Sequence, residues 1–316
     1  MIVAVNLVDN SEKNITISEL KKLQMENVWI DVKNPSDAEF KAMFEKLDLS
    51  FTLLKPSDLS TMSSIYIMND KILMYFASIG KEFDRNTVAP ITIIFSKNFL
   101  VTVRTKEVDA VERAKGRMHK DKTDSPASMA YVILDEITTE YYNYLELIED
   151  KTANMEETVL ENSTPENMKQ IFNQKADLIS FNKLLWYERG VLFSLKKSEL
   201  PFMTNRVRML FDDLHDDLTR QIDIVETFRE ILSDAFTAYL SVASNKINNS
   251  IRGLTVVMLY LTIFTTVTSF PNTVATIFGI PIFGNSTDWR IIILLLALST
   301  IIPLVWLLKK RWVKFD

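Results

Sequence analysis

Asn248, Thr255, Thr262, Ser269 and Thr276 fall seven residues apart in a stretch of chain that carries almost no charge. Ile251, Met258, Thr265 and Asn272 take the complementary position of the same heptad. On a helix the two sets form one seam. Repeated in several copies around an axis, that seam would line a path with neutral hydroxyl and amide oxygens, interrupted at Ile251 and Met258. Such a lining suits a hydrated hard cation, because Mg²⁺ gives up its water reluctantly and neutral oxygens hold it weakly enough to release it. For any single threonine the competing reading is close packing or a bond to its own backbone. For the register as a whole, pore lining is favoured. Asn272 is its most telling member, since an uncompensated amide in hydrocarbon is costly.

A second group is acidic: Asp212, Asp213, Asp216, Asp217, Asp223, Glu226 and Glu230. On a helix Asp213, Asp216 and Asp217 share a face at i, i+3 and i+4, and clusters of oxygen ligands fit hard cations. A solvated acidic face is the plainer alternative, although several copies of it would still concentrate cations. The two histidines, His119 and His215, are too few and too far apart for a transition-metal site. The chain shows no Gly-rich phosphate loop, no nucleophile elbow and no carboxylate pair beside a nucleophile, so no enzyme signature is found.

These residues need particular elements to hold them. No residue is charged from Gly253 to Thr287, nor from Ile291 to Leu308. A helix of about 20 apolar residues crosses the hydrocarbon layer, so two spans are expected, about 254–278 and 291–308. Two helices cannot enclose a polar path alone, and transport would require several copies. Lys246 and Arg252 precede the first span, and Lys309, Lys310, Arg311 and Lys314 follow the second. The positive-inside rule then puts both termini in the cytoplasm of a plasma-membrane protein. Nothing at the start reads as a cleavable signal. The absence of cysteine excludes disulfides and thiolate chemistry. A net charge of -5 argues against a nucleic-acid partner.

Residues 1–124 read as an α/β domain. Short β-branched runs at Ile2–Val8, Val28–Val32, Ile65–Ile67, Ile72–Ile79, Ala89–Phe95 and Phe99–Arg104 alternate with turn signals. Ser36 and Glu39 form a capping-box pattern that opens a helix to about Leu47. Residues 125–253 read as a helical stalk domain, with one helix from Ser125 to about Leu160 and another from Pro165 to Leu195. A third runs from about Asn205 through the first span to Phe278, with Pro271 expected to kink it near the outer mouth. Residues 254–316 form the transmembrane hairpin with its basic tail. The fold class is α+β.

In this order the pieces resemble the CorA family of divalent-cation channels. The resemblance rests on Trp29-Ile30-Asp31-Val32 followed by Asn34-Pro35-Ser36, and on Thr87–Val103 as a closing hairpin. Leu134-Asp135 through Glu156-Glu157 resembles the first long helix of the family. The strongest local match is Tyr239-Leu240-Ser241, Ser244-Asn245-Lys246-Ile247-Asn248 and Leu254-Thr255, and Lys309-Lys310-Arg311-Trp312 resembles the family terminus. The resemblance implies a homopentamer with a cytoplasmic funnel, a pore-lining stalk helix and metal-controlled gating. It implies Mg²⁺ as cargo and as regulatory ligand, with no organic cofactor. Asp213 and Asp217 are then the candidates for regulatory metal on the stalk, with Asp84 opposite them on the α/β domain. The family signature Gly-Met-Asn at the pore mouth is replaced here by Gly279-Ile280-Pro281. Gly279 still offers a carbonyl, but Pro281 has neither a side-chain oxygen nor an N–H, so the ring of amides is lost. That leaves open Zn²⁺, Co²⁺ or Ni²⁺ as cargo, or a non-conducting anchored sensor.

Overall fold

The computed structural model describes residues 1–49, 63–68, 70–80, 83, 88–118, 125–161, 164–198, 200–279 and 288–309. The chain divides into two compact units, Met1–Tyr239 and Leu240–Asp316. Among the described residues the first unit is built on seven strands: β1 (Ile2–Asn6), β2 (Glu12–Ile15), β3 (Val28–Lys33), β4 (Ile65–Ile67), β5 (Lys71–Ser78), β6 (Ala89–Ser96) and β7 (Phe99–Arg104). They form a single sheet in the order β2-β1-β3-β7-β6-β5-β4. Only β3 and β7 pair in parallel; the other neighbours are antiparallel. Asn27 and Asn34 bracket β3 in the left-handed region, with φ 48 and 41. Asparagine tolerates that region better than most side chains.

Alternation along the strands gives the sheet two apolar faces. On one, α1 (Ile17–Lys22) and α2 (Asp37–Leu47) cover Ile2, Ile30, Val32, Ile94, Val101 and Val103 through Leu20, Met43, Phe44 and Leu47. Both helices begin with a complete capping box, Thr16 with Glu19 and Ser36 with Glu39. Each box satisfies two of the N–H or hydroxyl groups that a helix start leaves open. On the other face lie α3 (Asp109–Met118) and α4 (Pro126–Glu161), with α4 against β5, β6 and β7. Next follow α5 (Pro165–Lys196), capped by Thr164, and α6 (Asn205–Gly279). The Phe211 ring of α6 stacks on Phe95 of β6 at 6.2 Å, and Tyr131 of α4 meets Phe211 edge-on. These contacts fix the start of α6 to the sheet.

Three elements depart from the sequence expectation. Strand β2 has the sequence Glu-Lys-Asn-Ile with three exposed positions, so no apolar alternation announces it; backbone pairing with β1 makes it a strand. Helix α1 is only six residues long. Helix α3 carries Ala110, Val111, Ala114 and Met118 as its buried face, in a stretch where charges dominate the sequence. The first strand also ends at Asn6, where Asn10 turns the chain.

In the second unit α6 continues as a helix through Pro271. Proline lacks the N–H that would bond the carbonyl of Val267. Helix α7 (Trp289–Lys309) follows. Among the described residues, α6 is the one helix long and apolar enough to cross a membrane. Its most apolar 18-residue window has a mean hydropathy of 1.7 and is 0% buried. The apolar stretch described within α7, Trp289–Ile302, is shorter.

Candidate functional site

The polar seam lies on α6 within the second unit. Asn248, Thr255, Met258, Thr262, Thr265, Ser269, Asn272 and Thr276 are all exposed on the single chain. The partly covered residues of the same stretch are Val256, Leu259, Ile263, Thr266, Val267, Pro271, Val274 and Phe278, at helical spacing on a different face. The seam is therefore surface that this chain leaves open. Four of its hydroxyls turn their protons back on the helix: Thr255, Thr262 and Thr276 donate to the carbonyls of Ile251, Met258 and Asn272 at 2.8 Å. Thr265 donates to Leu261 at 2.9 Å. With the proton turned back on the helix, each oxygen keeps lone pairs that face outward. Gly279 closes α6. Ile280, Pro281 and Asp84 lie outside the described residues.

The acidic group sits in the first unit, on the early turns of α6. Asp213 is exposed and Asp217 half-buried. Burial pushes the Asp217 carboxyl up, and Asp135 and Asp213 push it further, while Arg220 opposes them. The same carboxylates contribute to raising Tyr131, chiefly by burial, to about 12. Thus Asp135 of α4 joins Asp213 and Asp217 of α6 in one negative patch. Arg117 reaches Asp135 at 2.5 Å and Arg220 pairs with Asp217. Asp135 was missed in the sequence, where Asp135-Glu136 reads as part of a helix face; only helix packing brings it to α6. On the neighbouring face Asp212, His215 and Asp216 hold ligand atoms within 4.8 Å of one another. Lys196 is bound to Asp212, and His215 Nδ1 lies 3.3 Å from Asp216.

Several buried or half-buried charges of the first unit are held by partners from other elements. Asp31, fully buried, takes Arg104 Nη2 at 2.8 Å and the Thr102 hydroxyl at 2.8 Å, and Trp29 donates to Thr102 at 3.0 Å. Glu112 accepts from Arg104 at 2.6 Å and Lys33 at 2.5 Å. Burial opposes these bonds, yet Lys33, Arg104 and the nearby Lys115 hold its carboxyl down at about 2. Glu140 accepts from Ser78, Gly80 and Arg113. Glu188, also fully buried, accepts from the Ala77 amide at 2.9 Å, and Tyr141 contacts both its Oε2 at 2.6 Å and the Ala77 carbonyl. Tyr141 has one hydroxyl proton for two acceptors. A protonated Glu188 closes the ring: it donates to Tyr141, which donates to Ala77. Burial pushes this carboxyl up to about 8, against the bonds that its ionised form would accept from Tyr141 and the Ala77 amide.

Comparison with known proteins places this architecture. The family described as CorA-like Mg2+ transporter protein matches residues 25–311. The cobalt/magnesium transport protein CorA of Methanocaldococcus jannaschii is 27% identical over 301 residues, covering 90% of this chain and 91% of the relative. The complete structure of the CorA magnesium transporter from the same organism superposes with a TM-score of 0.71 at 23% identity, covering 99% of each chain. The full-length CmaX protein has the same TM-score of 0.71 at 14% identity, with 98% of this chain and 97% of that one covered. The expected α+β, CorA-like fold is borne out. Carrying the order of strands, stalk and apolar helices over nearly its full length, this chain belongs to the CorA-like Mg2+ transporter family.

Proposed function

We propose that the protein conducts divalent cations, Mg²⁺ foremost, across the plasma membrane as several copies around an axis, five by the family resemblance. The observation that carries this reading is the seam of small polar residues on the exposed face of α6. Its matching relative is called a cobalt/magnesium transport protein. A hydrated Mg²⁺ would pass between outward-facing oxygens with much of its shell retained. An inside-negative potential supplies about 2.3 kcal/mol per charge per 100 mV, acting twice on a divalent ion. Residues 1–124 and 125–253 would form the cytoplasmic part and residues 254–316 the membrane hairpin, with both termini inside. Metal on Asp213 and Asp217, with Asp84 from the α/β domain, would neutralise the negative patch that raises Asp217 and hold the subunits closed. Losing it would let the stalks separate.

A second reading is favoured by Gly279-Ile280-Pro281, which lacks the amide of the family mouth. Under it, the cargo is Zn²⁺, Co²⁺ or Ni²⁺, or the protein is a non-conducting metal sensor. The test is entry of Mg²⁺ into liposomes carrying a trapped dye under an inside-negative potential, with Asn272→Leu measured beside the wild type. Flux that the substitution abolishes supports a pore lined by this seam. Silence with Mg²⁺, Zn²⁺, Co²⁺ and Ni²⁺ alike would sink conduction and leave the sensor.

A further inference from the structure

Helix α5 carries two apolar rows at heptad spacing. Ile171, Leu178, Leu185 and Leu192 are at most 1% exposed and pack inside the unit. One residue on, Phe172, Ile179, Trp186 and Phe193 form a second row, each between 46% and 54% exposed. A step of one residue turns the helix by about 100°, so this row lies at the edge of the packed face, its ends beside Phe236 and His215 of α6, where a one-sided helix carries polar residues. The row spans about 31 Å at 1.5 Å per residue and is one side chain wide. A membrane-surface helix buries a broad apolar face; a seam this narrow suits another helix.

The rim of the row is basic. Lys169 and Lys175 lie three residues either side of Phe172, Lys183 and Arg189 either side of Trp186, and Lys196 follows Phe193 by three. The Arg189 guanidinium sits 3.9 Å from the Trp186 ring, and Lys197 sits 4.3 Å from Phe193. The first unit holds a surface of opposite character. Leu210, Asp217, Ile224 and Ile231 of α6 fall in one heptad register and are only partly covered, so Asp217 interrupts the apolar row, with exposed Asp213, Asp223, Glu230 and Asp234 beside it. Within one chain α5 and α6 already run antiparallel in contact, Lys175 at Ser233 and Phe172 at Phe236.

We propose that the Phe172/Ile179/Trp186/Phe193 row of each chain docks on the Leu210/Ile224/Ile231 seam of α6 in a second copy. The two surfaces differ, so the contact is head-to-tail and propagates to a ring where the rotation closes. The inference rests on the multi-copy reading above and gives it a specific interface. Rotation about an axis along the helices preserves level. Lys175 is level with Ser233, which puts Ile179 level with the region of Glu230. Asp213 lies about 25 Å farther along α6.

The chain has no cysteine, so introduced thiols report without background. Full-length Ile179→Cys would be co-expressed in membranes with differently tagged Glu230→Cys, or with Asp213→Cys, and treated with a short bismaleimide. A mixed-tag adduct is expected with Glu230→Cys only, and Trp186→Glu should lower its yield about tenfold or more. Adduct formed by Ile179→Cys alone would mean a two-fold contact and overturn the proposal. So would quenching of a fluorophore on Cys-substituted position 179 by doxyl lipids, which would place the row in the bilayer surface. Absence of any adduct would overturn it as well. Native mass of the wild type separates the cases: several copies without adduct refute the interface alone, whereas a single chain refutes the multi-copy reading too.

Discussion

The two units use polar residues in opposite ways. In Met1–Tyr239 the buried carboxylates are enclosed by partners from other elements: Asp31 by Arg104 and Thr102, Glu140 by Ser78 and Arg113, Glu188 by Tyr141 and Ala77. In Leu240–Asp316 Thr255, Thr262 and Thr276 of α6 donate to carbonyls of their own helix and are exposed on the single chain. A group enclosed by its own chain stabilises or rigidifies that chain. A row left open along a helix that an apolar environment surrounds needs something outside the chain, because hydrocarbon offers it no partner. On the proposed reading, the first set does structural work and the second meets the ion.

The sharpest way to break this contrast is Arg104→Leu. It leaves buried Asp31 with Lys115, 3.7 Å away, as its remaining cation in place of the hydrogen-bonded guanidinium, and removing one partner of a buried pair costs up to about 3–5 kcal/mol. Chemical or thermal denaturation should register that loss, while flux per folded molecule stays at the wild-type value. Reduced flux with unchanged stability would assign Arg104 to the ion path instead. Asn272→Leu should do the reverse: flux falls at least about tenfold, equivalent to about 1.4 kcal/mol in a barrier, with the unfolding midpoint of the cytoplasmic unit unmoved.

Glu188 sharpens the comparison through pH. Its folded-state carboxyl is raised from 4.5 to about 8, so between those values the folded chain holds a proton that the unfolded chain has released. The stability it contributes is complete below the unfolded value. It falls as pH rises toward about 8, by up to about 1.4 kcal/mol per pH unit. Glutamine offers the same donor and acceptor pattern to Tyr141 and Ala77 without titrating. Glu188→Gln should therefore flatten that part of the pH profile. An unchanged difference between variant and wild type across pH 5–8 would show that Glu188 is ionised in the fold. The smallest effect is expected from Thr262→Val, which removes one outward oxygen of several. Flux should drop by a few-fold at most, with stability moving by less than about 0.5 kcal/mol.

Several elements were legible because a local signal and the tertiary outcome agree. Ser36 and Glu39 predicted the start of α2, and Thr164-Pro165 the start of α5. Val28–Lys33 and Phe99–Arg104 are β-branched runs that became central strands. Where local signal was weak, pairing or packing decided instead. Polar β2 exists through its bonds to β1, and α3 through four small or apolar residues against α4. The candidate site divides in the same manner. The seam of α6 was visible because a helix repeats every seven residues nearly in line, whereas Asp135 was not, since nothing in sequence ties it to Asp217.

What the sequence by itself determined is the apolar character and periodicity of α6, the α+β order of elements and the resemblance to the CorA family. Each depends on near neighbours or on composition, which the chain carries directly. Only the tertiary structure decided that Asp31 meets Arg104 across parallel β3 and β7, and that Glu188 closes a ring with Tyr141 and Ala77. It alone decided that one of two apolar rows on α5 stays open. The physical reason is common to all three. Burial and pairing are properties of residues far apart in the chain, and a heptad shows which residues share a row without showing which row is covered.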